Sequence, residues 1–460
     1  MSESIGNSGP GMKLHTKILL GLAAGLVLGV VTNLTVGPDH PAITAINTYL
    51  AVPLGQIFLR MLFMVVMPLV FASIALGVAG LGDIRKVGRV GGKAVGYFLV
   101  TTVLAATLGL VVVNISRPWD RVTPETRVAL MERFKSDASS RVEAAATTAK
   151  FGPDTFVNIV PRNPIDAAAK TDMLGVIFFG LMFGAALTLI APERARPMID
   201  VLEALNEVVI KIIGFAMKLA PYGVAALIFS VTSRFGFDLL VAVAAFVITV
   251  LVALLLHVGV TLFAIIRFGI GMSPLTFLAR VRAALVTAFS TSSSSATLPT
   301  ALEVSERQLG IPRRIAGFVL PIGSTMCMNG TALFEGITVL FLAQVFGLDL
   351  SIGQQVVVVI MSVLTAVGAA GVPGGSIPLL VGILSMFGIP PEGIAIVLGV
   401  DRILDMSRTT VNVIGDLCAT TWVAKSEGLW SASSVPPASQ TMEATSGRDE
   451  TPENRPLTHG

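Results

Sequence analysis

Apolar stretches of 18 or more residues recur along this chain from Ile18 to the region around Val423, and each is long enough to cross roughly 30 Å of hydrocarbon as a helix. Unpaired backbone polar groups are too costly in lipid for open structures, which leaves helices or a closed barrel. A barrel would show alternation in segments of about ten residues, and this sequence does not. The residues are 53% hydrophobic and 13% charged, about half the charge that soluble surfaces need. The chain reads as an all-α polytopic membrane protein.

The formal net charge of +3 is small, so topology rests on where Lys and Arg fall. Lys13 and Lys17 precede the first span, and Arg85, Lys86, Arg89 and Lys93 lie between the second and third. Arg194 and Arg196 follow the fourth, and Arg267, Arg280 and Arg282 follow the sixth. The loop from Asn33 to Asn47 has no Lys or Arg, which places it outside and both termini in the cytoplasm. No small-residue cleavage pattern closes the first stretch, so it is read as a retained helix. Cys327 and Cys418 both fall inside spans and carry no disulfide or zinc spacing; they read as small buried hydrophobes.

A cytoplasmic N-terminus (1–14) precedes spans expected near 15–34, 49–81, 94–115, 171–191, 199–231 and 239–267. Residues 116–170 include a polar, mixed-charge stretch with Glu132, Arg133, Lys135, Asp137 and Arg141, which reads as an external insertion. The tail, 431–460, is rich in Ser, Pro, Thr and Glu and reads as disordered and cytoplasmic.

The last third departs from simple spans because its apolar runs are broken halfway. Phe277 to Phe289 is followed by Ser290, Thr291 and Ser292 to Ser295, and Val356 to Ala370 by Gly371, Val372, Pro373, Gly374 and Gly375. Each reads as a re-entrant hairpin, 274–309 and 351–389, followed by a full-length helix, 313–344 and 392–425. An ordinary exposed loop is the plainer reading of either run alone. Hairpin plus helix twice over suggests an inverted repeat, and paired interruptions of this kind mark binding sites in secondary transporters.

Asp401, Asp405, Arg408, Asn412 and Asp416 interrupt the last helix. At about 100° per residue they fall within an arc of roughly 80°. Each ionisable group at membrane depth costs at least about 2.5 to 3.5 kcal/mol, so this stripe demands partners or a wet cavity. A self-neutralising network between helices is one reading. Three acids against one arginine leave negative charge that cations would satisfy, and Arg402 lies off the stripe, snorkelling or paired elsewhere.

SSSSATLP from Ser292 to Pro299, MNGTALFEG from Met328 to Gly336, GVPGG from Gly371 to Gly375 and DRILDMSRTTVNVIGD from Asp401 to Asp416 together resemble the glutamate transporter family. The resemblance runs from about Lys13 to Lys425. It implies eight transmembrane helices plus two re-entrant hairpins in a homotrimer of the bacterial inner membrane. Spans one and two (15–81) and four and five (171–231) would be a scaffold in lipid. Span three (94–115), span six (239–267), both hairpins and the last two helices would be a transport domain moving as an elevator.

The resemblance also implies site residues. Arg408 is similar to the arginine that pairs the substrate side-chain carboxylate, with Thr331 and Thr409 beside it; a planar guanidinium suits that task. Asp405 corresponds to the acid that holds the substrate ammonium. Asn412, with the hairpin segments Ser293, Ser294, Ser295 and Val372, Pro373, Gly374, would take the α-carboxylate. Family members that carry plain dicarboxylates tend to lack an acid at Asp405, so glutamate or aspartate is favoured, and a C4-dicarboxylate:cation symporter is the alternative.

Asp416 and Asn412 with backbone at Gly323 resemble a sodium site, and Thr325 with carbonyls of the second hairpin another. Thr101 and Thr102 match the hydroxyls of a third, whose Asn-Met-Asp run is here Cys327, Met328, Asn329. Losing both an amide and a carboxylate argues against that site. Glu335, four residues after Thr331, matches the position where proton-coupled relatives carry a glutamate, and a carboxyl in a low-dielectric setting suits proton carriage. Protons, sodium or both would be co-transported, with no cofactor.

Other classes fit less well. Serine hydrolysis needs a base near Ser292 to Ser295, and of four histidines only His257 lies in a span. Gly91-Gly92-Lys93-Ala94 lacks the P-loop spacing, so ATP drive is not expected. A channel would dissipate a gradient where a symporter accumulates substrate. Neither an enzyme nor a nucleic-acid partner is expected.

Overall fold

The computed structural model describes residues 14–38, 40–79, 84–123, 160–170, 172–235, 238–367, 369, 371, 373–398 and 400–432. Val372, most of the 116–170 insertion and most of both terminal segments lie outside them. The described residues are helical and include no strand. Six of their helices are long and apolar enough to cross a membrane.

The first helices are α1 (Leu14–Thr35), α2 (Pro41–Ile46), α3 (Val52–Phe63), α4 (Val66–Ala79) and α5 (Ile84–Ser116). Next come α6 (Met173–Leu189), α7 (Pro192–Phe235) and α8 (Asp238–Leu256), which continues through wide π turns to Ile270. The last third holds α9 (Pro274–Thr291), α10 (Ser294–Arg307), α11 (Arg313–Met326), α12 (Asn329–Val345), α13 (Ile352–Val367), α14 (Ile377–Met386) and α15 (Asp401–Ser426).

Lipid is as apolar as leucine, so helices here associate by close packing rather than by a hydrophobic drive. Gly21, Gly25 and Gly29 form a small-residue stripe on α1, and each lies directly against α7 at Pro221, Ala225 and Thr232. Leu20, Val27, Leu28, Val31 and Leu34 stay exposed on α1. On a soluble protein such a face would be a liability; against acyl chains it is the expected surface. The same logic joins α4 to α6, where Gly184 meets Ala75 and Phe71 stacks on Phe179 at 5.5 Å.

Helices α1 to α4, α6 and α7 pack on one another, while α5 and α8 to α15 form a second group around α12 and α15. Every residue of α12 except Gln344 is buried. The groups meet through α13 and α14 on α3 and α4, and through a short helix, Ala395–Leu398, on α7. Hence the charged stripe of α15 is buried while apolar side chains of α1 face outward.

Residues 313–344 are not one helix. The backbone leaves helical geometry at Cys327 (φ −90, ψ 74) and Met328 (φ −109, ψ 48), which separates α11 from α12 at mid-length. The 392–425 segment likewise begins with two short turns, so that Asp401 lies in the first turn of α15.

At the other end of α15, Glu427 accepts from Arg89 Nη2 at 2.6 Å and Lys93 Nζ at 2.7 Å, tying α15 to the start of α5. Hydrogen bonds from Arg89 and then Lys93 hold its carboxyl at about 2, well below 4.5. A depressed folded value means the contribution is complete above about 4.5 and is lost as pH falls through about 2. Glu427→Gln should therefore lower thermal stability modestly at neutral pH and flatten its acid limb across that interval. A variant melting with the wild-type acid profile would rule the tie out.

Candidate functional site

Three interruptions of the second helix group and the polar stripe of α15 converge on one small cavity of about 20 Å³. Ser292 and Ser294 line it from the α9–α10 turn, and Met328 and Thr331 from the α11–α12 break. Ala369, Gly371 and Ser376 come from the α13–α14 turn, and Asp405, Arg408, Thr409 and Asn412 from α15.

The two turns touch. Gly371 O accepts from Ser295 N at 3.2 Å and from Ser293 Oγ, while Ser293 Oγ also caps α10 by accepting from Ala296 N at 3.1 Å. A Cβ at Gly371 would lie 2.7 Å from Ser295 Oγ and 2.9 Å from Ser324 O, so only glycine fits the junction. Ser292, at φ 51, occupies the left-handed region that costs an L-residue energy. Its hydroxyl is buried, and among the described residues it has no partner. Gly374 takes φ 74, which its lack of a Cβ permits, and a Cβ there would lie 3.3 Å from Met217 Sδ of α7. Pro373 lies at the same tip, half-buried.

Arg408 is 1% exposed. Its Nη1 donates to Asp401 Oδ1 at 2.9 Å, and its Nη2 and Nε donate to Asp405 Oδ1 at 2.9 and 3.2 Å. Its Cζ lies 4.2 Å from the centre of the Phe334 ring, whose electron-rich face adds to the attraction. Asp405 Oδ2 accepts from Gly374 N at 3.2 Å, so the same carboxylate holds the guanidinium and the second turn. Arg402, expected off the stripe and paired elsewhere, places Nη1 3.7 Å from Asp405 Oδ2. Two arginines thus balance Asp401 and Asp405. The stripe's uncompensated charge moves to Asp416.

Asn412 mends the helix break. Its Oδ1 accepts from Gly330 N at 2.7 Å, and its Nδ2 donates to Met328 Sδ at 3.1 Å and Thr331 Oγ1 at 3.2 Å. Both ends of the amide thus carry hydrogen bonds across the break. Asp416 Oδ1 is buried without a hydrogen-bond partner among the described residues. It faces Gly323, where an added Cβ would lie 2.5 Å from it. A lone carboxylate oxygen over bare backbone suits a hard cation. Thr325 is exposed and donates back to Ile322 O at 3.0 Å, away from this group.

Thr101 Oγ1 and Thr102 Oγ1 lie 3.3 and 2.8 Å from Asn329 Oδ1. The amide oxygen stands between the hydroxyls that the resemblance assigns to a third cation. Glu335 is fully buried; its Oε2 accepts from Thr365 Oγ1 of α13 at 2.7 Å, and its Oε1 has no partner among the described residues.

Residues 14–426 match the sodium:dicarboxylate symporter family. The chain belongs to that family. Its polytopic helices accord with the match, and it is a multi-pass membrane protein. The proton/sodium-glutamate symport protein of Bacillus subtilis (strain 168) is 37% identical over 415 residues, 90% of this chain and 94% of that relative. The proton/glutamate-aspartate symporter of Escherichia coli (strain K12) is 34% identical over 419 residues, covering 90% and 93%. The C4-dicarboxylate transport protein of Bacillus subtilis (strain 168) is 36% identical over 417 residues, covering 90% and 95%. All four motifs lie inside the span that the family covers.

Sequence reasoning passed over Asp401 and Arg402 as site residues, and Ser292 and Ser376 as cavity walls. The spacing of Asp401 and Arg408, two turns apart on one stripe, was a usable signal. Nothing local marked Ser376, whose buried hydroxyl has no partner among the described residues and lines the cavity beside Arg408.

Proposed function

We propose that this protein is a secondary active symporter that takes up glutamate or aspartate together with protons, sodium ions or both. The observation that carries the reading is Arg408, buried among carboxylates beneath two touching turns. A carboxylate-bearing substrate has its counter-charge there, in a place that water does not reach. The two relatives named for glutamate or glutamate-aspartate symport support it.

In this reading the substrate side-chain carboxylate takes the N–H groups of Arg408 and its ammonium takes Asp405. The α-carboxylate takes hydroxyls and backbone N–H groups around Ser292 to Ser295. Asn412 keeps the α11–α12 break in shape, with Thr331 and Thr409 as walls. The cavity is smaller than any amino acid, so the turns must part for entry; the glycines at 371 and 374 make the second one the moving gate. Eight spans and two re-entrant hairpins, a homotrimeric inner-membrane scaffold of α1 to α4, α6 and α7, and an elevator movement of the second group complete the proposal. The close glycine contacts within each group, against the sparser contacts between groups, favour movement along that boundary.

Glutamate carries a net negative charge, so electrogenic accumulation against an inside-negative potential needs at least about two positive charges per cycle. Asp416 is the cation ligand we assign, and Glu335 the proton carrier. Asn329 standing between Thr101 and Thr102 weighs against a third sodium ion.

Uptake into proteoliposomes, with sodium and proton gradients imposed separately and amino acids and dicarboxylates competing, tests the whole. Glutamate or aspartate should accumulate and respond to the proton gradient, while Glu335→Gln should keep binding and lose that response. Accumulation of C4-dicarboxylates alone would instead favour the dicarboxylate alternative. A Gln variant with undiminished proton dependence would make Glu335 a structural acid.

A further inference from the structure

Asp405 serves three neighbours with two oxygens. Oδ1 accepts twice from Arg408, and Oδ2 accepts from Gly374 N and faces Arg402 Nη1 at 3.7 Å. The Arg402 contact is an ion-pair distance and too long for a hydrogen bond. Closing it by roughly 0.8 Å would reach the length of a charge-assisted bond. The Arg402 side chain is 11% exposed, and its Nε is buried without a partner among the described residues.

Three of Arg408's five N–H donors are already on Asp401 and Asp405. If Arg408 turns its Nε and Nη2 edge, which now holds Asp405, to a substrate carboxylate, Asp405 keeps only the Gly374 N–H inside a desolvated site. A buried carboxylate in that state is strongly disfavoured. Arg402 is the second cation within ion-pair distance of Asp405 among the described residues. Being an arginine, it keeps its charge where water is excluded.

We propose that Arg402 is a specificity-determining residue: it takes over Asp405 as Arg408 turns to the substrate, keeping that carboxylate charged and aimed at the ammonium of an amino acid. The proposal rests on the reading in which Asp405 receives the ammonium. Arg402 itself touches no substrate and acts through Asp405. It thereby separates substrates that carry an ammonium from dicarboxylates that lack one.

The test is calorimetric binding of L-aspartate and of succinate to the purified protein in lipid nanodiscs, read as the ratio of the two Kd values. Arg402→Gln should raise the aspartate-to-succinate ratio about tenfold, and Arg402→Lys should recover much of the loss. Misfolding would weaken both ligands together and leave the ratio in place. Asp405→Asn alone should raise the ratio as well, and adding Arg402→Gln should then change it no further. An unmoved ratio in Arg402→Gln, or an equal rise with Asp405 already neutral, overturns the proposal while wild-type aspartate binding leaves the substrate reading standing. A wild-type protein that binds succinate but no acidic amino acid overturns both.

Discussion

Arg408→Ala is expected to abolish binding of glutamate and aspartate and to lower the unfolding temperature of the protein. The side chain is 1% exposed and holds Asp401 and Asp405 at 2.9 Å each, so its removal leaves two carboxylates buried with Arg402 alone nearby. Breaking a buried pair in this way costs about 3–5 kcal/mol. Lysine is no replacement, because one ammonium cannot reproduce a guanidinium that faces Asp401, Asp405 and the Phe334 ring at once. Adding Asp401→Asn should restore part of the stability and none of the binding, which separates the structural loss from the loss of the substrate's counter-charge. Calorimetric titration with glutamate alongside thermal unfolding measures both. Undiminished glutamate affinity in Arg408→Ala would sink the assignment of the site.

Gly330→Ala should come next in effect, though it removes no charge and no hydrogen bond. Gly330 is where α12 starts against α15, and an added Cβ would lie 2.6 Å from Arg408 O, 2.9 Å from Arg408 Cα and 3.0 Å from Arg408 Cβ. Two of those atoms are backbone, so the helices must separate. Overpacking of this kind costs about 1–3 kcal/mol and often more when backbone is struck. Separation would stretch the 2.7 Å bond from Gly330 N to Asn412 and shift Arg408 against its acids. Lost substrate binding together with a lower melting temperature is the expected result. Gly317→Ala, in α11 with no atom within 4 Å of the added carbon, is the control and should be neutral or slightly stabilising. If Gly330→Ala binds and melts like the wild type, the close approach is not what positions Arg408.

The site was legible in the sequence where chemistry is local. Asp401, Asp405, Arg408, Asn412 and Asp416 repeat at helical spacing through an apolar run, and lipid makes every such interruption expensive, so the stripe had to face inward. The serine and Gly-Pro runs were legible for the same reason: each breaks an apolar run, and the structure places a turn there, between α9 and α10 and between α13 and α14. The Arg402–Asp405 pair was within reach as well, because residues three apart are neighbours on a helix surface. Partners on other helices were not legible. Asn412 reads as a ligand on the stripe, but the break at Cys327 and Met328 exposes a backbone N–H that claims it.

The sequence by itself therefore determined the solvent, the helical class, the places of the two turns, the family and which residues carry charge into the apolar run, because periodicity and the cost of burying charge act along the chain. Tertiary structure decided the pairings between helices, whereas the ion pairs within α15 lie at spacings that the sequence already carries. Asn412 was assigned to the helix break and Asn329 to the threonines of α5, while among the described residues Asp416 Oδ1 was left without a hydrogen-bond partner over Gly323. Those pairings depend on distances between segments 82 to 228 residues apart, and in a low-dielectric interior an ångström of such distance decides whether a charge is satisfied.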